Sequence, residues 1–483
     1  MSSELKVLRG PPGRVLSTLN EDGSRRWLRP RFSKGGFFRQ RRIVAWALIL
    51  IFVAIPYIRM NGKPLMLLDL PRREFTLFGT TFAATEMVLF MLVLGAIFVL
   101  IFFVTALVGR AWCGWACPQT VYMEFLFRPI EYWLEGGPRG AQQLDAKKGL
   151  SPKRMLKYAI FLVLAVFLTH VFLAYFVGVE TLGRWVTRSP VEHPTTFFIM
   201  LGTTALIFLD FAWFREQTCL VACPYGRIQS VLLDRQSVIV GYDTSRGEPR
   251  MKGIRGRAER AGDCIDCGNC VTTCPTGIDI RDGLQMECIH CTQCADACDA
   301  VMDKIGKPRG LIRYTSRDEI SGLPRKILRA RVVLYPLVLV AMLGTLIYLL
   351  GTRAEAEITV LRGLGAPYTQ TGTGSLLNQV RIRVRNRGAE AARYRISLEA
   401  PEGMTMIAPI NPLPVRAGEL ATTSVFVEFP RRLLHDGEIP VTFRIEDEHG
   451  FARELPYRLL GPDDDDDDDE TSERREGAAG EEH

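Results

Sequence analysis

Residues 264–298 read C-I-D-C-G-N-C-V-T-T-C-P and then, after a gap, C-I-H-C-T-Q-C-A-D-A-C-D. The spacing is C-x2-C-x2-C-x3-C twice, with Pro275 closing the first run and Asp299 where the second could carry proline. Three cysteines two residues apart can wrap one corner of an iron–sulfur cubane, and the fourth reaches a neighbouring one. The pattern assigns one [4Fe-4S] cluster to Cys264, Cys267, Cys270 and Cys298, and a second to Cys274, Cys288, Cys291 and Cys294. Zinc modules pair two cysteines with two more at a distance and do not repeat a third at this interval. A disulfide knot is the other bland reading, and the doubled ferredoxin pattern argues against it. This stretch is an electron relay.

The remaining four cysteines form two matching motifs. Gly109-Arg110-Ala111-Trp112-Cys113-Gly114-Trp115-Ala116-Cys117-Pro118 ends one long apolar run, and Glu216-Gln217-Thr218-Cys219-Leu220-Val221-Ala222-Cys223-Pro224-Tyr225-Gly226 ends another. Each is C-x3-C-P, so a span-plus-motif unit occurs twice. On a continuous helix, residues four apart share a face and would offer two sulfurs side by side. Soft thiolates favour Cu(I), zinc or iron–sulfur over hard cations. A site preferring Cu(I) to Cu(II) raises the copper potential, and copper needs the single electron that a cubane hands over. Thiol–disulfide exchange and simple packing of small cysteines are the alternatives. Two copies beside a relay favour a metal or redox site, which makes Cys113, Cys117, Cys219 and Cys223 the catalytic and copper-binding candidates.

Other side chains carry weaker signals. Asp210 lies near the end of an apolar run, where a carboxylate either acts or simply reaches water. His170 is expected to make an interhelical hydrogen bond rather than bind metal. Met87 and Met91 share a helix face and are read as packing. His290, inside the second cysteine run, is expected to tune a cluster by hydrogen bonding rather than ligate it.

The elements that must position these residues begin with membrane helices. The chain is 47% hydrophobic, concentrated in apolar runs at 43–58, 84–108, 158–178, 195–214 and 332–351; each is long enough to span, the first marginally because of Pro56. Segments 110–157 and 215–331 hold eight and nineteen Lys/Arg, against four and two in 59–82 and 179–194. The positive-inside rule then puts the N-terminus and cysteine runs in the cytoplasm and the C-terminal domain across the membrane. The net charge of +7 is read as orientation, not nucleic-acid binding. Residues 1–42, with eleven basic and three acidic residues, read as a flexible, solvated cytoplasmic arm. Its Ser24-Arg25-Arg26-Trp27 is too far from the first apolar run for a twin-arginine signal.

Residues 43–226 form the four-helix membrane region, 227–331 the ferredoxin-like domain, and 332–351 the fifth span. In 352–461, Val380-Arg381-Ile382-Arg383-Val384-Arg385 alternates strictly, and further short strand signals separated by turns imply an immunoglobulin-like sandwich. Residues 462–483, with seven aspartates from Asp463 to Asp469, read as an acidic disordered tail.

Together the doubled ferredoxin run, the paired C-x3-C-P motifs, five spans and the sandwich resemble the cytochrome c oxidase accessory family CcoG, also called FixG or RdxA. The resemblance covers nearly the whole chain, in the same order. It implies a bacterial inner-membrane protein with cupric reductase activity that supports assembly of cbb3-type cytochrome c oxidase. It further implies transfer of Cu(I) to a copper-exporting P-type ATPase, and a homodimer. Carried over by position, the cluster ligands are the eight cysteines named first, and the copper-contacting candidates are Cys113, Cys117, Cys219 and Cys223. The missing proline after Cys298 and the aspartate tail depart from the pattern without touching a ligand.

The expected architecture is thus five membrane helices, a cytoplasmic bacterial-type 2[4Fe-4S] module and a periplasmic immunoglobulin-like sandwich. The expected chemistry is reduction of Cu(II) to Cu(I), with electrons from a donor that the sequence does not name. A quinol-oxidising conduit to a periplasmic reductase and a non-catalytic redox-sensing assembly scaffold are the rival readings.

Overall fold

A computed structural model describes residues 17–462, apart from 21, 61, 71–73, 84–86, 148–150, 254–260, 325, 327, 353, 372–373 and 389. The aspartate run from Asp463 lies outside the described residues. The chain divides into two units, one ending at Tyr348 and the other starting at Leu349.

In the first unit, four helices are long and apolar enough to cross a membrane: Val88–Val108, Pro152–Val177, Pro194–Phe214 and Ala330–Gly351. They match four of the five runs expected. Their apolar side chains are largely turned outward, including Val88, Met91, Phe98, Val163, Leu206 and Leu337, as hydrocarbon solvent requires. The fifth run belongs to the helix Gly36–Ala54, which ends in a short turn at Pro56. Its first two turns carry Arg39, Arg41 and Arg42, so it falls short of the apolar length that the other four reach.

The basic arm differs most from expectation. From residue 17 onward it is a strap packed on the unit, with Ser17, Thr18, Leu28, Ser33 and Arg41 buried. Ser17 Oγ donates to the Thr276 carbonyl at 2.6 Å and Thr18 Oγ1 to Gln217 Oε1 at 3.2 Å. The Arg31 amide donates to the Thr272 carbonyl at 3.0 Å. Arg25 stacks over Trp27 and donates to the Trp213 carbonyl. Charge composition pointed to solvent, but these arginines find aromatic faces, carbonyls and Glu216, so a solvated arm is incorrect for residues 17–42.

Around the two C-x3-C-P motifs the helices break. Cys113 lies in the helix Ala111–Trp115, but Cys117 is extended (φ −61°, ψ 126°) and caps the next helix, Pro118–Tyr122. Cys219 lies in a π-helical turn, Thr218–Ala222, and Cys223 is extended (φ −77°, ψ 106°) before the helix Pro224–Leu232. The expectation of one helix face per pair is therefore incorrect. Proline disfavours helical backbone in the residue before it, so the chain kinks at the second cysteine both times. Proline then opens the following helix, where its missing N–H costs nothing.

The ferredoxin-like region is framed by the antiparallel strands Ile239–Tyr242 and Ile312–Thr315. Both cysteine runs make the same pair of left-handed turns. Asp266 and His290 have φ of 50° and 53°, and Gly268 and Thr292 have φ of 67° and 58°. Each pair turns a C-x2-C-x2-C segment back on itself before a helix, Asn269–Thr272 or Gln293–Lys304. Holding non-glycine residues there costs energy and marks a segment shaped for a purpose.

The second unit is a two-sheet sandwich. One sheet runs Thr405–Ile407, Leu420–Pro430, Ser375–Asn386, Ala356–Arg362, with Thr369–Gln370 beside the third strand. The other runs Leu413–Val415, Ala392–Glu399, Glu438–Glu446, Ala452–Leu460. Val380, Ile382 and Val384 are wholly buried while the arginines between them point outward, as the alternation requires.

Candidate functional site

Two cavities sit inside the ferredoxin-like region. One, with about 340 Å³ of atom-free space, is lined by Cys274, Cys288, Cys291 and Cys294, with Cys270, Thr276 and Ile278. The other, about 350 Å³, is lined by Cys264, Cys267, Cys270 and Cys298, with Tyr242, Arg281 and Met302. The first cavity thus gathers five thiols and the second four, Cys270 lining both, and each draws on both runs as the crossed arrangement of a two-cubane fold needs. No three His, Cys, Asp or Glu side chains among the described residues are drawn together to grip a single ion. The residues fit cubanes. Burial pushes the Cys270, Cys288 and Cys298 thiols up to about 12 and Cys291 to about 11. Bare thiolates are therefore disfavoured there, and iron would supply the missing positive charge.

The cradle of Cys274, Cys288, Cys291 and Cys294 abuts the first membrane-edge motif. Cys113, Ile289 and Cys291 form one buried cluster. Gly114 makes this possible, because a Cβ there would stand 2.5 Å from the Ile289 carbonyl oxygen and 2.8 Å from the Cys291 Cα. The contact is pinned on both sides. Arg41 Nε donates to the Gly114 carbonyl at 2.8 Å, and the Arg110 amide donates to His290 Nδ1 at 3.0 Å. Trp115 Nε1 donates to Tyr314 Oη at 2.7 Å, which in turn donates to the His290 carbonyl at 3.0 Å.

The four membrane-edge thiols share one neighbourhood but, like the cradle thiols, are not drawn together around a single ion. Burial raises the pKa of Cys113, Cys117 and Cys219, and every pair of the four is close enough for the charge on one to raise another. Cys113 Sγ donates to Gln229 Oε1 at 3.0 Å, while Gln229 Nε2 donates to Thr105 Oγ1 and Tyr225 Oη, each at 2.8 Å. Arg110 lies beside them, 3% exposed, its guanidinium donating to the Met286 carbonyl and in no ion pair among the described residues. A buried cation left without a counter-charge is expensive.

The weaker candidates sort as follows. Asp210 joins the motifs, accepting from Gln119 Nε2 at 3.2 Å and from Thr218 Oγ1. His170 Nδ1 pairs with the Val166 carbonyl of its own helix at 2.7 Å, not with another helix. Met91 is exposed on the outer face. The His290 ring does not line the cradle. It lies against Gly109, where its Nδ1 accepts from the Arg110 amide. Arg110, Gln229, Tyr225 and Arg41 were not singled out from the sequence. Arg110 and Tyr225 adjoin the motifs, whereas Arg41 and Gln229 carry no local signal.

Behind the site lies a buried ionic lattice. Arg128 pairs with Glu124 and with Glu216 (3.3 Å), Arg215 with Glu131 (2.9 Å), and Lys157 with Glu131 and Glu135 (3.4 and 2.6 Å). Gln293 Nε2 donates to Glu124 Oε2 at 2.9 Å, which ties the lattice to the residue before Cys294.

Three sequence profiles match the chain: a 4Fe-4S dicluster domain over residues 214–317, an IG-like fold at the C-terminus of FixG over 346–462, and a 4Fe-4S binding domain over 90–137. Protein RdxA of Cereibacter sphaeroides is 33% identical over 395 residues, 78% of this chain and 82% of that protein. Nitrogen fixation protein FixG of Rhizobium meliloti is 30% identical over 486 residues, 89% of this chain and 92% of that protein. Protein RdxB of Cereibacter sphaeroides is 33% identical over 404 residues, covering 78% and 83%.

Proposed function

Because this chain belongs to the FixG/RdxA family, we propose that it is a membrane cupric reductase that supplies Cu(I) for assembly of cbb3-type cytochrome c oxidase. Its coarser character as a membrane iron–sulfur protein of electron-transport type follows from the dicluster match and the apolar helices. The observation that carries the finer reading is the meeting of Cys113 with Cys291 beside the buried Arg110, which sets one of four neighbouring soft ligands directly against a cubane cradle.

In this reading Cys264, Cys267, Cys270 and Cys298 hold one cubane, and Cys274, Cys288, Cys291 and Cys294 the other. When bound, each cubane supplies a one-electron couple. Cys113, Cys117, Cys219 and Cys223 take the copper ion as substrate, giving up thiol protons as they bind. Four sulfurs favour the Cu(I) state, so the ligand set itself pulls the one-electron reduction forward. Arg110 offsets the charge of the thiolates, and the Gly114 contact keeps the two sites adjacent. Five spans, with the N-terminus and cysteine cradles in the cytoplasm and the sandwich in the periplasm, complete the proposal. Cu(I) then passes to a copper-exporting P-type ATPase, and the protein acts as a homodimer in the inner membrane with an electron donor of its own.

The test is the Cys117→Ser/Cys223→Ser double variant, purified anaerobically. Copper bound per chain and formation of the Cu(I)–chelator complex after reduction should fall sharply, with the cubane absorbance intact. Unchanged copper binding would refute the assignment. A second reading has its own support, since the 4Fe-4S binding-domain match at 90–137 includes Cys113 and Cys117. The membrane-edge thiols would then hold a further cluster. Iron analysis separates the two: about eight iron atoms per chain for two cubanes, about twelve for three.

A further inference from the structure

Arg110 touches three separate parts of the site. Its backbone amide donates to His290 Nδ1, and its guanidinium donates to the Met286 carbonyl, so it grips the loop leading through Cys288 from both ends. The same guanidinium lies against Gly226, just past Cys223, and its charge acts on the Cys113 thiol. Its charge also acts on Cys219 and on Cys288. Gly109 supports this placement with a φ of +59°, which lets the chain turn out of the membrane helix directly against Val238 and His290.

The charges around it are unequal. Arg41 also acts on Cys291 and is wholly buried, with both terminal guanidinium nitrogens lacking a partner. Glu124, whose charge acts on Cys291, is already paired with Arg128. Arg110 thus remains a buried positive charge facing two sets of thiols.

We propose that Arg110 is a positioning residue serving as the shared counter-charge of the membrane-edge thiols and the cubane cradle beside them. An electron added on the cradle side and a metal–thiolate formed on the other side draw on the same cation. Filling one site therefore weakens the hold of the other on negative charge, and by linkage the effect is reciprocal. A cubane beside loaded thiols becomes the stronger reductant, which favours electron release when copper is present. This rests on the copper reading for the thiol half and only on the cradle geometry for the cubane half.

The experiment compares full-length wild type, Arg110→Met and Arg110→Lys by EPR-monitored redox titration, with and without Ag(I) as a redox-inert mimic of Cu(I). Cu(I) affinity is measured in parallel by chelator competition. Arg110→Met should lower the reduction equilibrium of one cubane about tenfold, or about 59 mV for one electron. It should also weaken Cu(I) binding about tenfold and abolish the Ag(I)-induced shift seen in wild type. Arg110→Lys, which keeps the charge, should recover most of the potential. Normal potentials and Cu(I) affinity in an iron-replete Arg110→Met protein overturn the proposal. So does loss of iron in both variants, which would mark a purely structural anchor. If wild type binds Cu(I) no better than the Cys117→Ser/Cys223→Ser protein, the copper reading fails, and the apo-state potential shift still decides the cubane half.

Discussion

Replacing Gly114 by alanine tests whether the two sites are held together as described. The added Cβ would lie 2.5 Å from the Ile289 oxygen and 2.8 and 2.9 Å from the Cys291 Cα and N, whereas ordinary contact begins at 3.4 Å. The loop bearing Cys288 and Cys291 must therefore retreat by about 0.9 Å, the difference between 3.4 and 2.5 Å. All three obstructing atoms are backbone, so no side-chain rotation relieves the clash. Overpacking of this kind costs about 1–3 kcal/mol, and the Arg41–Gly114 hydrogen bond, at about 1 kcal/mol, is strained as well. The assay is thermal loss of iron–sulfur absorbance in detergent under argon, alongside the rate of Cu(I) formation from pre-reduced protein. Gly114→Ala should lose its clusters at lower temperature and reduce copper more slowly. Gly202, with nothing within 4 Å of a Cβ, is the control. Alanine there should be neutral or gain up to about 1 kcal/mol of helix propensity. Matching melting and rates for Gly114→Ala and wild type would refute the packing argument.

Three further outcomes are expected. Metal-bound sulfur has no S–H to give, so the Gln229 amide must turn and donate to Cys113; Gln229→Glu cannot, and should bind Cu(I) roughly tenfold or more weakly, with Gln229→Leu less affected, by chelator competition. Burial alone would raise Glu131, but Arg215 and Lys157 outweigh it and hold its carboxyl at about 2, below the ordinary 4.5. Its stabilisation is complete above pH 4.5 and fades as the pH falls towards 2, by about 3 kcal/mol in all; unfolding midpoints of wild type and Glu131→Gln should therefore converge with acid. Ile382→Ala, at a wholly buried sandwich position, should destabilise the second unit by about 2–5 kcal/mol while cluster absorbance stays unchanged.

Local chemistry made much of this protein legible from the chain. The C-x2-C-x2-C-x3-C runs pointed to two cubanes because cubane geometry dictates short spacings, and the eight thiols line two cavities that share Cys270. Four apolar runs declared helices because lipid leaves the backbone no other partner. The Val380–Arg385 alternation declared a strand because successive side chains point to opposite faces. The basic arm misled because charge signals solvent only when no buried partner exists, and Arg25 and Arg41 find theirs in Trp213, Gly114 and Phe125, far along the chain. The helix break at Cys117 and Cys223 was implicit in the prolines, and the repeated span-plus-motif unit suggested two matching sites brought towards one another.

What the amino-acid order determined alone is therefore which cysteines are spaced for iron–sulfur ligation and which segments are long and apolar enough to cross a membrane, since both are set by neighbours a few residues away. Only the tertiary structure decided that one cradle rather than the other meets Cys113, that Arg110 stands between them, and that Gln229 reaches the thiol. Those contacts join residues more than a hundred positions apart, where packing, not local pattern, chooses the partner.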